Sequence, residues 1–244
     1  MIVLYVLIFL LGASLGSFYH VVGYRMPKKL NWIRGRSHCP HCGHQLRWFE
    51  LIPLISYLWQ RKRCKNCGSV INPIYFWVEF ISGILFLIPV FHYENPFGNG
   101  TVFTWIFLSL LLIITVSDLY YQLILNKVLL FFLPLLLLYP NRSLIGMVGG
   151  ICLLGANFVV GHLLFKRAPL GGGDIKLYGL VGLKLGMVST VISLMIASIL
   201  AAVFVAAVPN WRKKPLPFGP FISLASYIAL LYGDSLWEFY LGLF

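Results

Sequence analysis

The segment Gly171-Gly172-Gly173-Asp174-Ile175-Lys176 sets a carboxylate between three glycines and a long apolar run. A charged side chain carried into the middle of a bilayer costs about 2.5–3.5 kcal/mol, so an acid at the mouth of an apolar segment needs a reason to be there. Glycines adopt backbone conformations closed to other residues and let a second chain come close. Together they point to a place where a substrate backbone meets an acid. The plainer reading is that Asp174 opens and caps a helix, with Lys176 as its ion-pair partner. One carboxyl does little acid–base work alone, and Asp118, which closes the apolar run Thr101 to Ser117, is the candidate partner. Two carboxyls held close do not both ionise. The ionised member takes a proton from water while the protonated one polarises a peptide carbonyl, help worth about 10²–10⁴-fold in rate. Glu79 is a third acid inside an apolar run, read either as functional or as held near the headgroups.

The other reactive set is sulfur. Cys39-Pro40-His41-Cys42 and Cys64-Lys65-Asn66-Cys67 lie 21 residues apart. Two Cys-x-x-Cys pairs at this interval fit tetrahedral Zn²⁺, each pair forming a small knuckle that offers two thiolates. Four thiolates complete the shell, which leaves His38, His41 and His44 outside it or facing solvent. The segment around them is too short for a substantial core, so a metal staple makes physical sense. Cys152, alone in an apolar run, is read as packing.

The elements that must carry these groups are membrane helices. Of 244 residues, 59% are hydrophobic and 11% charged, against about 25% charged in soluble domains. The net charge of +12 has a membrane explanation: ten of the nineteen basic residues fall between Arg25 and Lys65, as expected of a cytoplasmic loop. No nucleic-acid partner is expected. The charge-free stretch 1–24 precedes its positive residues, the reverse of a secretory signal, so it reads as a retained first membrane helix with the N-terminus outside. The expected organisation is all-α and polytopic, with about eight transmembrane helices. Residues 25–73 form the cytoplasmic zinc-binding insert, 74–100 the second membrane helix and outer loop, and 101–244 the remaining six. Apolar runs predict crossings at Ile74 to Phe91, Thr101 to Ser117, Leu123 to Asn141 and Leu144 to Phe165, then two short passes between Asp174 and Pro209, and a last one from Ile222 to about Gly233. A re-entrant turn followed by one full span is the alternative to the two short passes. Tyr139 to Ser143 is the expected outer turn, and Lys166-Arg167 and Arg212-Lys213-Lys214 mark inner ends. On this count Asp118 and Asp174 reach the same, cytoplasmic, face.

In order and spacing, these pieces resemble the type IV prepilin peptidases, membrane aspartic proteases of the Gly-x-Gly-Asp class. The resemblance takes in Gly16-Ser17-Phe18, the double Cys-x-x-Cys insert, Trp48 to Pro53 and Asn72 to Glu79. It continues through Ser117-Asp118-Leu119, Gly171 to Lys176 and Pro217-Phe218-Gly219-Pro220. It implies an enzyme of the bacterial cytoplasmic membrane that cuts the basic leader from prepilins or pseudopilins after a Gly. Asp118 and Asp174 would be the catalytic pair, and Gly171, Gly172, Gly173 and Lys176 a substrate loop between lipid and cytosol. Members that keep the cysteine insert usually also N-methylate the new amino terminus with S-adenosyl-L-methionine. Cys39, Cys42, Cys64 and Cys67 point to that two-activity form, and Glu79 lies in the segment that looks like the methyltransferase region. One departure stands out: Ile124-Leu125-Asn126 has Leu where the family commonly has Pro, which lets the following helix begin earlier. Two other classes compete: a proton-coupled transporter using Asp118, Asp174 and Glu79 as a relay, and a non-catalytic scaffold recruited through its zinc knuckle.

Overall fold

In an apolar chain the helix ends are set by local backbone events, and these determine where each acid sits. The structure, a computed structural model, describes residues 1–33, 35–138, 143–165, 171–211 and 215–242. The described residues are helical with no strand: α1 Ile2–Arg25, α2 Ile55–Trp59, α3 Ile74–His92, α4 Asn99–Tyr121, α5 Asn126–Leu137, α6 Leu144–Phe165, α7 Gly172–Leu185, α8 Met187–Ala207 and α9 Gly219–Leu241. By length and apolarity, α1, α3, α4 and α8 are able to cross a membrane. A 30 Å hydrocarbon core needs about 20 residues of helix, and α5, with 12, and α7, with 14, fall short of that. The expected outer turn at Tyr139 to Ser143 and the Lys166-Arg167 and Arg212-Lys213-Lys214 markers lie, Ser143 apart, outside the described residues.

Three boundaries differ from expectation. The helix expected to stop at Ser117 runs on to Tyr121, because nothing between breaks it until Gln122 takes a left-handed φ of 51°. Asp118 is therefore in the last turn of α4, not after it. The next helix starts at Asn126 rather than Leu123. Residues 123–125 are held extended: the Ser117 hydroxyl donates to the Leu123 carbonyl at 2.6 Å, and Leu125 is the extended N-cap. With Leu at 125, the helix still begins only at Asn126. The last helix is longer than expected at both ends.

The chain divides into two compact units, Met1–Trp105 and Ile106–Phe244, with the boundary inside α4. In the first, α1 and α3 run antiparallel, Tyr5 meeting Phe91 at one end and His20 meeting Tyr75 at the other. In the second, α6 and α7 are antiparallel and in backbone contact: a β-carbon on Gly146 or Gly182 would strike the other residue's backbone, and one on Gly150 the carbonyl of Tyr178. Small residues are how membrane helices reach such distances. Gly186, at φ 81°, turns the chain between α7 and α8. Along α9, Ser226 meets Ser193 and Phe221 meets Phe204, so α8 returns toward the end from which α7 set out.

Candidate active site and metal centre

Three helix ends meet in the second unit. Asp118 comes from the last turn of α4 and is buried. The first residue of α9 faces it: the Gly219 amide donates to Asp118 Oδ2 at 2.7 Å. One turn further on, Ser223 donates to the Leu111 carbonyl at 3.2 Å, which locks α9 antiparallel along α4. Asp174 is the third residue of α7, also buried, and its Oδ2 accepts the Gly171 amide at 3.1 Å. The start of α7 packs on the linker that follows Asp118, Gly173 against Ile124 and Lys176 against Asn126, which brings the two carboxyls to one end of the unit. Each has Oδ2 committed to a backbone N–H, leaving Oδ1 of each without a protein hydrogen bond among the described residues.

The linker between α4 and α5 braces the arrangement. Lys176 donates to Asn126 Oδ1 at 3.1 Å, and Gln122 donates to the Pro215 carbonyl at 2.8 Å. Lys176 therefore serves α5 and is not the ion-pair partner of Asp174. The capping role expected of Asp174 is present as a hydrogen bond and coexists with its place in the pair. The three glycines contribute differently from expectation. None has a left-handed φ, Gly171 sitting at −75°, and two of the three belong to the helix rather than to a loop. Gly173 is the one that space demands, since a β-carbon there would lie 2.8 Å from the β-carbon of Ile124; Gly172 faces open space. The close approach is thus between two parts of this chain.

Gly219 is the residue for which sequence reasoning found no role. A β-carbon on it would lie 2.9 Å from both Cβ and Oδ2 of Asp118, and 101 positions separate the two. The available signal was a glycine flanked by prolines ahead of an apolar run, which marks a rigid helix start but names no partner. Gly219→Ala is expected to push Asp118 off its position and lower catalysis by about a hundredfold with helix content unchanged. Peptide cleavage and circular dichroism on the same membranes check this, and full activity in the variant would remove Gly219 from the site.

In the first unit the four cysteines converge, with all four Sγ within 4.8 Å of one another. Cys39 and Cys67 Sγ are 3.9 Å apart, close to the edge of about 3.8 Å of a tetrahedron with metal–sulfur bonds of about 2.3 Å. The set fits a four-coordinate metal. The two halves repeat each other. Cys39 N–H donates to His44 O and Gly43 N–H to Cys39 O; likewise Cys64 N–H donates to Ser69 O and Gly68 N–H to Cys64 O, all at 2.8–2.9 Å. Isolated bridges His38–Gln45 and Arg63–Val70 close the two turns. Gly43 and Gly68, at φ 70° and 71°, supply the left-handed step that each turn needs. That shared glycine, one residue after each second cysteine, was legible and went unread. Backbone N–H groups of Cys42 and His41 pull the Cys39 thiol down to about 6, toward the thiolate that a metal takes. Histidines stay out of the cluster: His38 Nδ1 faces the Arg36 carbonyl at 3.3 Å, and His44 Nε2 lies 3.7 Å from Glu50.

Glu79, in the second turn of α3, accepts the Leu54 amide at 2.8 Å and a hydrogen bond from Ser17 of α1. Leu54 sits at φ 62°, a strained value for Leu. Glu79 therefore clasps the 47–59 segment to α3, at about 1.5–3 kcal/mol for a charge-assisted bond. Glu79→Gln keeps an acceptor oxygen and is expected to stay within about threefold of wild type in any activity of this unit, whereas Glu79→Ala loses the clasp. Limited proteolysis of residues 47–59 separates the two variants; a proton-transfer role for Glu79 would instead make Gln as damaging as Ala.

Two family models match the chain, Bacterial Peptidase A24 N-terminal domain over residues 10–93 and Type IV leader peptidase family over residues 105–206. Among curated proteins, the chain is 36% identical to the Prepilin leader peptidase/N-methyltransferase of Bacillus subtilis, with 96% of this chain and 97% of that protein aligned. Proteins of the same description from Dichelobacter nodosus and Pseudomonas aeruginosa are 30% and 29% identical, each over 95% of this chain and 92% and 91% of their own length. No solved structure matches.

Proposed function

The chain belongs to the type IV leader peptidase family, and from that premise we propose that it is a membrane aspartic endopeptidase that removes the basic leader of type IV prepilins or pseudopilins and methylates the new amino terminus. The observation that carries the peptidase half is the meeting of Asp118 and Asp174, each with one oxygen tied to a backbone amide and one left over. In the reaction the ionised carboxyl takes a proton from water as the oxygen attacks the scissile carbonyl. The protonated carboxyl donates to the carbonyl oxygen; as the C–N bond of the gem-diol breaks, the proton taken from water passes to the leaving amine and a hydroxyl proton returns to the carboxyl that gave it. Gly171 and Gly172 are exposed beside the pair and leave room for a substrate backbone after a Gly. We place the protein in the bacterial cytoplasmic membrane, crossing it eight times through α1 and α3–α9, with the N-terminus outside and the pair at the cytoplasmic face.

For the methyltransferase half, Cys39, Cys42, Cys64 and Cys67 would hold a structural Zn²⁺ that staples the insert. Beside the first knuckle lies a cleft of about 440 Å³, lined by Arg25, Asn31, Arg36, His38 and Gln45 among others. Guanidinium and amide groups suit the carboxylate and hydroxyls of S-adenosyl-L-methionine, and we assign it there. When bound, its sulfonium supplies the methyl group. The chain's part is to orient it and to bring the free amine alongside.

Purified protein in lipid, given a prepilin with and without S-adenosyl-L-methionine, tests both halves by mass spectrometry. The expected products are a shortened pilin in either case, and one heavier by a methyl group only with the donor. An intact prepilin in both would refute the peptidase assignment; a shortened but never methylated pilin would refute the second half alone.

A further inference from the structure

The insert carries an apolar face that neither the metal centre nor the clasp uses. In the segment from Trp48 to α2, Trp48 is 78% and Trp59 76% exposed, and Leu51, Ile55 and Leu58 are exposed with them. A short segment in water has no reason to display two tryptophans and three aliphatic residues. The clasp described above fixes the depth of this segment. Leu54 is hydrogen-bonded to Glu79, and Tyr57 stacks against Phe76 at 5.3 Å. Glu79 is the sixth residue of α3, so Leu54 sits about 7.5 Å along that helix. With 19 residues, α3 is about 28 Å long, no more than the roughly 30 Å of hydrocarbon it has to cross. A segment pinned to its first two turns is therefore level with the outer part of the bilayer, not with bulk cytosol.

We infer that residues 48–59 lie in the bilayer interface as a monotopic anchor, continuous with the lipid-facing side of α3. Exposed Trp77, Phe80, Ile81 and Ile84 mark that side of the helix. Charge is distributed accordingly. Arg47 precedes the apolar stretch and Arg61, Lys62 and Arg63 follow it, all exposed, whereas Glu50, the one acid of the insert, is buried and accepts the Arg47 amide at 2.8 Å. Cations flanking an apolar face with Trp at its ends are the pattern of a helix or loop seated among anionic headgroups. The occupant of the face is lipid. The knuckles are then presented at the membrane surface instead of on a mobile cytosolic stalk, independently of which reaction the chain performs.

The test uses the full-length chain in lipid nanodiscs. Tryptophan emission is compared between wild type and Trp48→Phe/Trp59→Phe, in phosphatidylcholine–phosphatidylglycerol bilayers with and without lipids brominated high in the acyl chain. The emission lost in the variant is expected to be blue-shifted and quenched at least about twofold by the brominated lipids, with little effect of aqueous iodide. A photoreactive phenylalanine analogue at position 59 gives a second measurement, and crosslinks lipid. A red, iodide-quenched component, or crosslinking of an added prepilin peptide in place of lipid, would overturn the inference, the second result making the face a peptide-docking surface.

Discussion

Asp118→Asn and Asp174→Asn are each expected to lower prepilin cleavage by at least about a thousandfold, with the protein still inserted and helical. Asn has the shape of Asp and its amide oxygen still accepts the Gly219 or Gly171 N–H. What it loses is the ability to exchange a proton with water or with the leaving amine. The two losses should not add: once one member cannot titrate, the other has no partner with which to share a proton, and the double variant should resemble either single one. Immunoblots of membranes carrying the variants and a prepilin report both cleavage and enzyme level. Near-normal cleavage by either single variant would show that the pair is not the machinery.

Cys64→Ser should have the second largest effect, and in the other unit. Cys64 is buried among four thiols within 4.8 Å, and a structural zinc of this kind contributes about 10–16 kcal/mol to the fold around it. Residues 38–45 and 63–70 have little else; the two turns are held by a handful of backbone bonds and one isolated bridge each. Bound zinc is expected at about one per chain in wild type and below about a tenth of that in the variant. The insert should open to protease and methylation should be lost. Cleavage should stay within about threefold, because Asp118, Asp174 and Gly219 all belong to the unit from Ile106 to Phe244. Metal analysis of the purified variant with paired cleavage and methylation assays checks this. Zinc retained at wild-type level would remove the metal centre.

The apolar helices were legible because a bilayer imposes one rule on everything that crosses it, and a run such as Leu144 to Phe165 is helical from end to end. Cysteine spacing was legible because a metal dictates it. Helix ends were not. With 59% of residues hydrophobic, almost any window qualifies as apolar, and the chain stops instead at single backbone events such as the left-handed Gln122 or Gly186. Nor was the contact between Gly219 and Asp118 readable, since it rests on α9 lying along α4 at a particular register, and no local pattern records that register. The neighbour of Gly173 was hidden for a related reason: what crowds it is Ile124, a residue 49 positions away.

The glycine seam between α6 and α7 bears on how the protein is made. On the eight-crossing reading, α7 has 14 residues and carries Asp174 and Lys176 near one end and Lys184 near the other, so it partitions poorly from a translocon by itself, where a central Lys or Asp costs about 2.5–3.5 kcal/mol. Just before it, α6 holds no charged residue and meets it backbone to backbone at Gly146, Gly150 and Gly182. On that reading the two are expected to enter as one hairpin, α6 acting as the chaperone of its successor. The helix that carries Asp174 would then owe its insertion to three side chains that are not there.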